Sequence, residues 1–130
     1  MPLEVHIVTP EREVWSGEAR MVIARGVEGE VGILPGHAPL LVRLAIGHLR
    51  VMTNGEDFVS VIDGGFLHVT SSGDATRVDV LATTAAVASE IDLERERRRA
   101  GEMERRLADK DDVEARVELA KSLARISLPR

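Results

Sequence analysis

Thirteen consecutive residues, Gly29-Glu30-Val31-Gly32-Ile33-Leu34-Pro35-Gly36-His37-Ala38-Pro39-Leu40-Leu41, limit the folds open to this chain more than any other stretch. Three glycines and two prolines within that span cannot sit inside a helix or run as one uninterrupted strand. Glycine supplies backbone conformations that other residues resist, and proline removes an amide donor, so the stretch reads as a folded corner with set turns. Val31, Ile33, Leu34, Leu40 and Leu41 are nevertheless apolar, which an exposed loop does not favour. The economical reading is a rigid crossing between strands, buried along its edges.

The rest of the chain must supply a core against which that corner can rest. Trp15, Phe58 and Phe66 are the only aromatic residues, so the core has to be aliphatic. At 130 residues there is room for one compact domain with an appendage, or for two very small units. The absence of cysteine removes disulfides, thiolate metal sites and a thiol nucleophile, and agrees with a reducing compartment. The start, Met1-Pro2-Leu3-Glu4-Val5, has no basic region followed by an apolar run, and no stretch is long enough to cross a bilayer. The expectation is a soluble protein that reaches a membrane only through a partner.

Charge divides the chain in two. Residues 1–90 hold six arginines and twelve acids, a balance of −6, whereas residues 91–130 hold eleven basic and ten acidic residues, a balance of +1. An acidic front half argues against nucleic-acid binding, which needs a basic surface along the phosphates.

From Leu3 to Val8 apolar and polar residues alternate, the signature of a half-buried strand that Thr9-Pro10-Glu11 ends. Val14 to Val27 reads as two strands with a turn or bulge at Ser16-Gly17. Leu40–Leu44 and His48–Thr53 read as a further pair, with Asn54-Gly55 as a hairpin signal. Phe58–Ile62 is a strand that Asp63-Gly64-Gly65 bends into Phe66–Thr70; Ser71-Ser72-Gly73-Asp74 turns the chain into Thr76–Ala82. Short strands separated by glycine-containing turns at this rhythm predict an all-β sandwich or barrel over residues 1–88.

Near residue 89 the period changes. Ser89-Glu90-Ile91-Asp92 has the form of a capping box, and Leu93, Ala100, Met103 and Leu107 recur at helical spacing. Ala108-Asp109-Lys110-Asp111-Asp112 interrupts, its acids suiting the N-terminus of a second helix. Val113, Val117, Ala120 and Ala124 form that helix's expected apolar stripe, and Pro129 closes it. Residues 89–130 are thus predicted to form an antiparallel helical hairpin whose narrow, alanine-rich stripes bury little surface, so that its docking is marginal and reversible.

Candidate sites carry ordinary readings beside functional ones. His6, His37, His48 and His68 lack metal-ligand spacing; His37 is expected to bond the loop backbone or face a partner. Asp63-Gly64-Gly65 is a tight turn before it is a cation or phosphate site. No phosphate loop and no nucleophile elbow is present, so no catalytic constellation emerges. The run Arg95-Glu96-Arg97-Arg98-Arg99 reads as a solvated helix face paired through Glu94–Arg98 and Glu102–Arg106, or else as a docking surface for acidic partners or a nucleotide phosphate.

The stretch 29–41 closely resembles the signature loop of the epsilon subunit of F-type ATP synthases. Val5-His6-Ile7-Val8-Thr9-Pro10-Glu11 resembles that family's first strand and turn, and Asp63-Gly64-Gly65-Phe66-Leu67 its Gly-Gly-Phe bend. Glu104-Arg105-Arg106-Leu107 and Glu118-Leu119-Ala120-Lys121-Ser122-Leu123-Ala124-Arg125 resemble its two terminal helices. The resemblance implies an N-terminal β-sandwich and a C-terminal helical hairpin in a non-catalytic rotor subunit. The sandwich grips the gamma subunit and rests on the ring of c subunits, and the hairpin either folds against it or extends along gamma to inhibit ATP hydrolysis. It implies that Gly32, Pro35, Gly36 and His37 belong to the grip, and that Arg98, Arg99, Arg105, Arg106, Lys121 and Arg125 meet acidic segments of the beta and alpha subunits. The implied location is the cytoplasmic face of the bacterial inner membrane.

Some members of that family bind ATP as a regulatory ligand, with no cofactor required. Ile91, Asp92 and Arg95 match their helix motif, and Lys121 with Arg125 stands at the spacing of their second-helix arginines. The match departs from the pattern in three places: Glu96 replaces an alanine, Glu102 an arginine and Ala86 an acid. Two other classes remain open beside the resemblance. One is a small-ligand-binding sandwich or an unrelated adaptor; the other is a hydrolase using Asp63 or Asp79 with a histidine.

Overall fold

Consecutive glycines at 64 and 65, both with positive φ (119° and 132°), carry the longest strand of the protein from one sheet layer into the other. The computed structural model describes residues 2–109 and 111–128; expectations for Met1, Lys110 and Pro129 lie outside the described residues. The elements run β1 (Leu3–Val8), β2 (Glu13–Ala19), β3 (Met21–Gly26), β4 (Gly29–Ile33), β5 (Leu40–Met52), β6 (Phe58–Ser72), β7 (Ala75–Ala82) and β8 (Ala85–Val87). A single 3-10 turn (Ala88–Glu90) follows, then α1 (Leu93–Asp109) and α2 (Val113–Ile126).

Hydrogen bonding links the strands in the order β2-β1-β7-β6-β5-β3-β4, with β8 added to the first half of β6. All neighbours are antiparallel except β1 and β7. β5 and β6 pair from Leu40–Val69 to Val51–Phe58 and belong to both layers. Their early and late halves pair with different strands: β6 with β8 before the glycines and with β7 after them. Across Gly64-Gly65 the inward residues switch from Phe58, Ser60 and Ile62 to Leu67 and Val69, a reversal of face that ordinary alternation forbids. A Cβ at Gly65 would run into the Leu81 carbonyl, so the bend has room only for glycine.

Between the layers lies an aliphatic core that includes Leu3, Val5, Ile7, Val22, Ile33, Leu49, Val51, Leu67, Val69, Val78 and Val80, with Trp15 and Phe58 stacked at its margin, ring centroids 5.7 Å apart. The expected strand-plus-hairpin architecture is present. Several local expectations are corrected. Ser16-Gly17 is no break but the middle of β2, paired with His6 and Val5; the chain changes direction at Arg20, whose N–H donates to the Met52 carbonyl at 2.7 Å. Leu40–Leu44 and His48–Thr53 are one continuous strand. β8 gave no alternating signal because it is only three half-buried residues held by β6.

The capping box is also corrected. Ser89 lies in the 3-10 turn, and Asp92 itself caps α1, its Oδ1 accepting from the Arg95 amide at 3.2 Å. Asp112 caps α2 in the same way, accepting from the Ala115 amide at 3.1 Å. The stripe predicted for α2 divides: Val113, Val117 and Ala120 are exposed, as is Leu123, whereas Ala124 is half-buried against the sandwich and Ala115, Ser122 and Leu128 are buried. α2 lies on β5 and β6, and α1 lies mainly on α2.

Candidate functional site

The stretch 29–41 resolves into β4, a short corner and the start of β5. Gly36, at φ 86°, turns its amide onto the Thr76 hydroxyl at 2.8 Å; the His37 amide donates to the Leu34 carbonyl at 3.1 Å, and Ser71 Oγ to the His37 carbonyl at 3.3 Å. His37 Nδ1 donates to the Ala38 carbonyl at 2.7 Å, so its ring secures the loop backbone. These bonds pin the corner to β6 and β7. Its apolar residues divide: Ile33 is buried and Val31 and Leu40 pack on the core, but Leu34 and Leu41 are exposed. That outcome corrects the expectation of a buried edge. Gly32 and Pro35 are exposed too, on β4 and in the corner.

Leu41 is not alone on its face. Register places Leu41 beside His68, Arg43 beside Phe66 and Phe66 beside Leu81. Leu41, Phe66 and Leu81 are 64%, 47% and 54% exposed, which makes an apolar strip on the outside of the layer formed by β5, β6, β7, β1 and β2. Polar neighbours border it: His68 faces Asp79, and Asp79 receives both Arg77 Nε (2.9 Å) and Nη2 (3.0 Å). That pairing raises the Arg77 pKa, chiefly through the Asp79 hydrogen bond. Sequence reasoning missed this strip because strand alternation marks which residues share a face, not which face meets water.

The hairpin covers the opposite outer face. His48 Nε2 lies 2.9 Å from the Ala124 carbonyl and 3.2 Å from Ser127 Oγ. Val61, the register partner of His48, is fully buried yet stands outside the sandwich core, on the face that α2 covers. Arg125 supplies the charged contact, reaching Asp63 in β6 at 2.7 Å and Glu96 in α1 at 3.4 Å. The seam is therefore narrow and largely polar.

Beside it is an open cavity of about 240 Å3 lined by Ala85, Ala86, Glu90, Ile91, Asp92, Arg95, Glu96, Arg99 and Arg125. It brings together four of the five residues expected at a nucleotide site: Ile91, Asp92, Arg95 and Arg125. Lys121 is not among the lining residues; its Nζ lies 3.6 Å from Glu118 instead. The basic run also divides. Arg99 approaches Glu118 at 4.0 Å and Arg106 meets Asp112 at 2.6 Å, so both tie the two helices together. The expected Glu94–Arg98 and Glu102–Arg106 pairs do not form. Arg98 and Arg105 are exposed, and no side-chain partner holds them among the described residues.

The other chemical candidates are engaged in structure: Asp79 by Arg77, and Asp63 by Arg125 and the Thr84 hydroxyl, the latter at 2.5 Å. Among the described residues no helix is long and apolar enough to cross a membrane.

Comparison with known proteins agrees with this architecture. Residues 2–88 match the family model described as ATP synthase, Delta/Epsilon chain, beta-sandwich domain. The chain is 45% identical over 126 residues to the ATP synthase epsilon chain of Thermobifida fusca, a match covering 95% of this chain and 90% of that one. It is 52% identical over 86 residues to the ATP synthase epsilon chain of Frankia casuarinae, covering 65% of this chain and 96% of that one. Among solved structures, a chain of the Euglena gracilis mitochondrial ATP synthase, in an assembly of OSCP, F1 and c-ring, superposes with a TM-score of 0.83 at 25% identity over 95% of this chain and 78% of its own. A sandwich with this loop and bend, a capped two-helix hairpin, and relatives that share nearly the full length lead to one assignment: the chain belongs to the ATP synthase epsilon chain family, a structural and regulatory subunit without catalytic residues of its own.

Proposed function

We propose that this chain is the rotor subunit that joins gamma to the c-ring in a bacterial synthase, at the cytoplasmic face of the membrane, and that its hairpin is a movable inhibitor of ATP hydrolysis. The apolar strip of Leu41, Phe66 and Leu81 is the face offered to gamma, since the hairpin occupies the other outer face. The pinned corner at Gly36 and His37 stiffens the end of that layer, as a part that transmits torque requires. Similarity to a chain of an F1 and c-ring assembly supports this placement.

The observation that carries the regulatory half is the contrast between the two modules. The sandwich is closed by an aliphatic core, while the hairpin docks through one guanidinium, one histidine and a small buried patch that includes Val61 and Ser122, with its Val113–Val117 stripe and its Arg98 and Arg105 turned to water. Weak docking is what a two-placement element needs, because small differences in free energy then set its position.

Deleting residues 89–130 and measuring ATP hydrolysis by the assembled enzyme tests the proposal. Hydrolysis is expected to rise while assembly persists. Unchanged hydrolysis would remove the inhibitory role, and failure to assemble would show that the hairpin belongs to the grip.

A further inference from the structure

Arg125 stands where three elements meet, and two carboxylates share its guanidinium. Nη2 lies 2.7 Å from Asp63 Oδ2 on β6, and Nη1 lies 3.4 Å from Glu96 Oε1 on α1. The side chains of Asp63, Glu96 and Arg125 are 3%, 9% and 16% exposed. Asp63 is committed to the sandwich side, since its Oδ2 also accepts the Thr84 hydroxyl. Asp63 Oδ1, Glu96 Oε2 and Arg125 Nε have no hydrogen-bond partner, so the cluster is not closed upon itself.

Glu96 is anomalous by position. It lies within a run of arginines, yet it is the member of that run that is buried, and it forms part of the wall of the cavity shared by Arg95, Arg99 and Arg125. Arg95, Arg99 and Arg125 set three guanidiniums around one small opening, and phosphate oxygens accept such donors in pairs; Glu90 and Asp92 stand at the same opening, Glu90 paired with Arg12 and Asp92 capping α1. Here the innermost guanidinium already has its anion, and the anion is covalently part of α1.

We propose that Glu96 is a built-in substitute for a bound phosphate: it supplies the negative charge that lets Arg125 be buried between α1, α2 and β6, so the compact hairpin closes without a ligand and the cavity turns polyphosphates away. A guanidinium withdrawn from water must be met by opposite charge, and Asp63 engages one of its two terminal nitrogens. Glu96 meets the other. A phosphate entering the same opening would lie against the Glu96 carboxylate, and like charges at contact distance repel strongly where water is scarce. The proposal rests on the hairpin being an element that docks and undocks.

The test uses the full chain as wild type, Glu96→Ala and Glu96→Gln, with amide exchange of α2 and calorimetric titration as readouts and ATP and inorganic pyrophosphate as probes. In the wild type, α2 protection is expected to be the same with and without millimolar ATP or pyrophosphate, and no binding heat is expected. Both variants are expected to exchange about tenfold faster in α2 without ligand, the factor carried by one charged hydrogen bond. They are expected to regain protection when either anion is added. Glu96→Gln keeps the side-chain shape, so its agreement with Glu96→Ala assigns the effect to charge. Wild-type protection that rises with ATP would overturn the proposal. So would variants that stay protected without ligand, or that loosen and are not rescued. Each readout is taken on the isolated chain, so failure here leaves the inhibitory role to stand or fall on hydrolysis by the assembled enzyme.

Discussion

Arg125 of α2 and Asp63 of β6 meet at 2.7 Å although the chain between them passes through two strands, a 3-10 turn and a whole helix. Asp63 immediately precedes the Gly64-Gly65 bend, so the point at which the sandwich folds over is also the point at which the hairpin is anchored. A rigid corner thus presents a single fixed charge to a loosely held element. The sandwich determines where the hairpin can dock, and the hairpin contributes little to the sandwich.

Asp63→Asn keeps the size of the side chain and removes its charge. Breaking one partner from a buried pair costs about 3–5 kcal/mol, and the residual hydration of Arg125 places this site at the lower end. Few other contacts hold α2, so the expected result is loss of amide protection in α1 and α2 with β1–β7 unchanged. Hydrogen exchange by residue checks it; uniform loss across both modules would show that they open as one unit.

Gly64 and Gly65 share positive φ but not surroundings. A Cβ at Gly64 meets nothing closer than the Thr83 hydroxyl at 3.9 Å, whereas at Gly65 it enters the Leu81 backbone. Gly64→Ala should therefore cost only conformational strain, about 1–3 kcal/mol, and Gly65→Ala clearly more, because backbone must move. Thermal melting of the two variants decides the order, and equal losses would place the constraint in φ alone.

The difference between these two glycines also shows what a sequence discloses. Gly-Gly after Asp, Gly-His-Ala-Pro in a corner and alternating Leu3, Val5 and Ile7 are local chemistry, and each appears where it was expected. Asp92 at a helix start is legible for the same reason, although the cap is Asp92 alone and Ser89 lies in the preceding 3-10 turn. The buried face of α2 was not legible. Val113 and Val117 are its more apolar choice, but the sandwich offers a carboxylate and a histidine at the docking point, so Ser122, Ala124 and Arg125 turn inward. Glu96 was hidden likewise: its partner stands twenty-nine residues away on another helix. Tertiary charge overrode local apolarity where α2 meets the sandwich.

Acid should act on the outer face of β1, the strand paired between β2 and β7. His6 Nε2 donates to Glu4 Oε1 at 2.9 Å, and this bond, assisted by Arg77, holds the Glu4 pKa below its ordinary value of 4.5. A carboxylate with a lowered folded pKa adds stability above its unfolded value and loses it as pH falls below 4.5 through the folded one. Glu4→Gln should flatten the acid side of the melting-temperature profile in that window. The effect should be small and vanish in high salt, since the group is exposed. A salt-independent change would point to a structural role for the side chain.

Leu41→Glu places a charge in the middle of the apolar strip without touching the core. Surface changes of this kind alter stability by only about 0.5 kcal/mol in either direction. Co-purification with gamma should nevertheless drop, because a carboxylate opposite an apolar partner surface is desolvated without compensation. Undiminished recovery of gamma would move the docking face elsewhere, with the Gly36 corner as the next surface to alter.

Arg98 and Arg105 offer the sharpest separation of regulation from folding. They lie seven residues apart on α1, two turns along one side of the helix, and both are exposed without side-chain partners among the described residues. Arg99 and Arg106, one residue further on, hold α1 to Glu118 and Asp112. The double variant Arg98→Ala/Arg105→Ala should therefore leave hairpin protection unchanged in the isolated chain yet release ATP hydrolysis in the assembled enzyme nearly as far as removal of the hairpin does. Arg99→Ala/Arg106→Ala should do the reverse in the isolated chain, loosening α1 from α2. Inhibition that survives loss of Arg98 and Arg105 would shift the contact to the exposed Val113–Val117 stripe, and the hairpin would then act by burying apolar surface instead of by pairing charge.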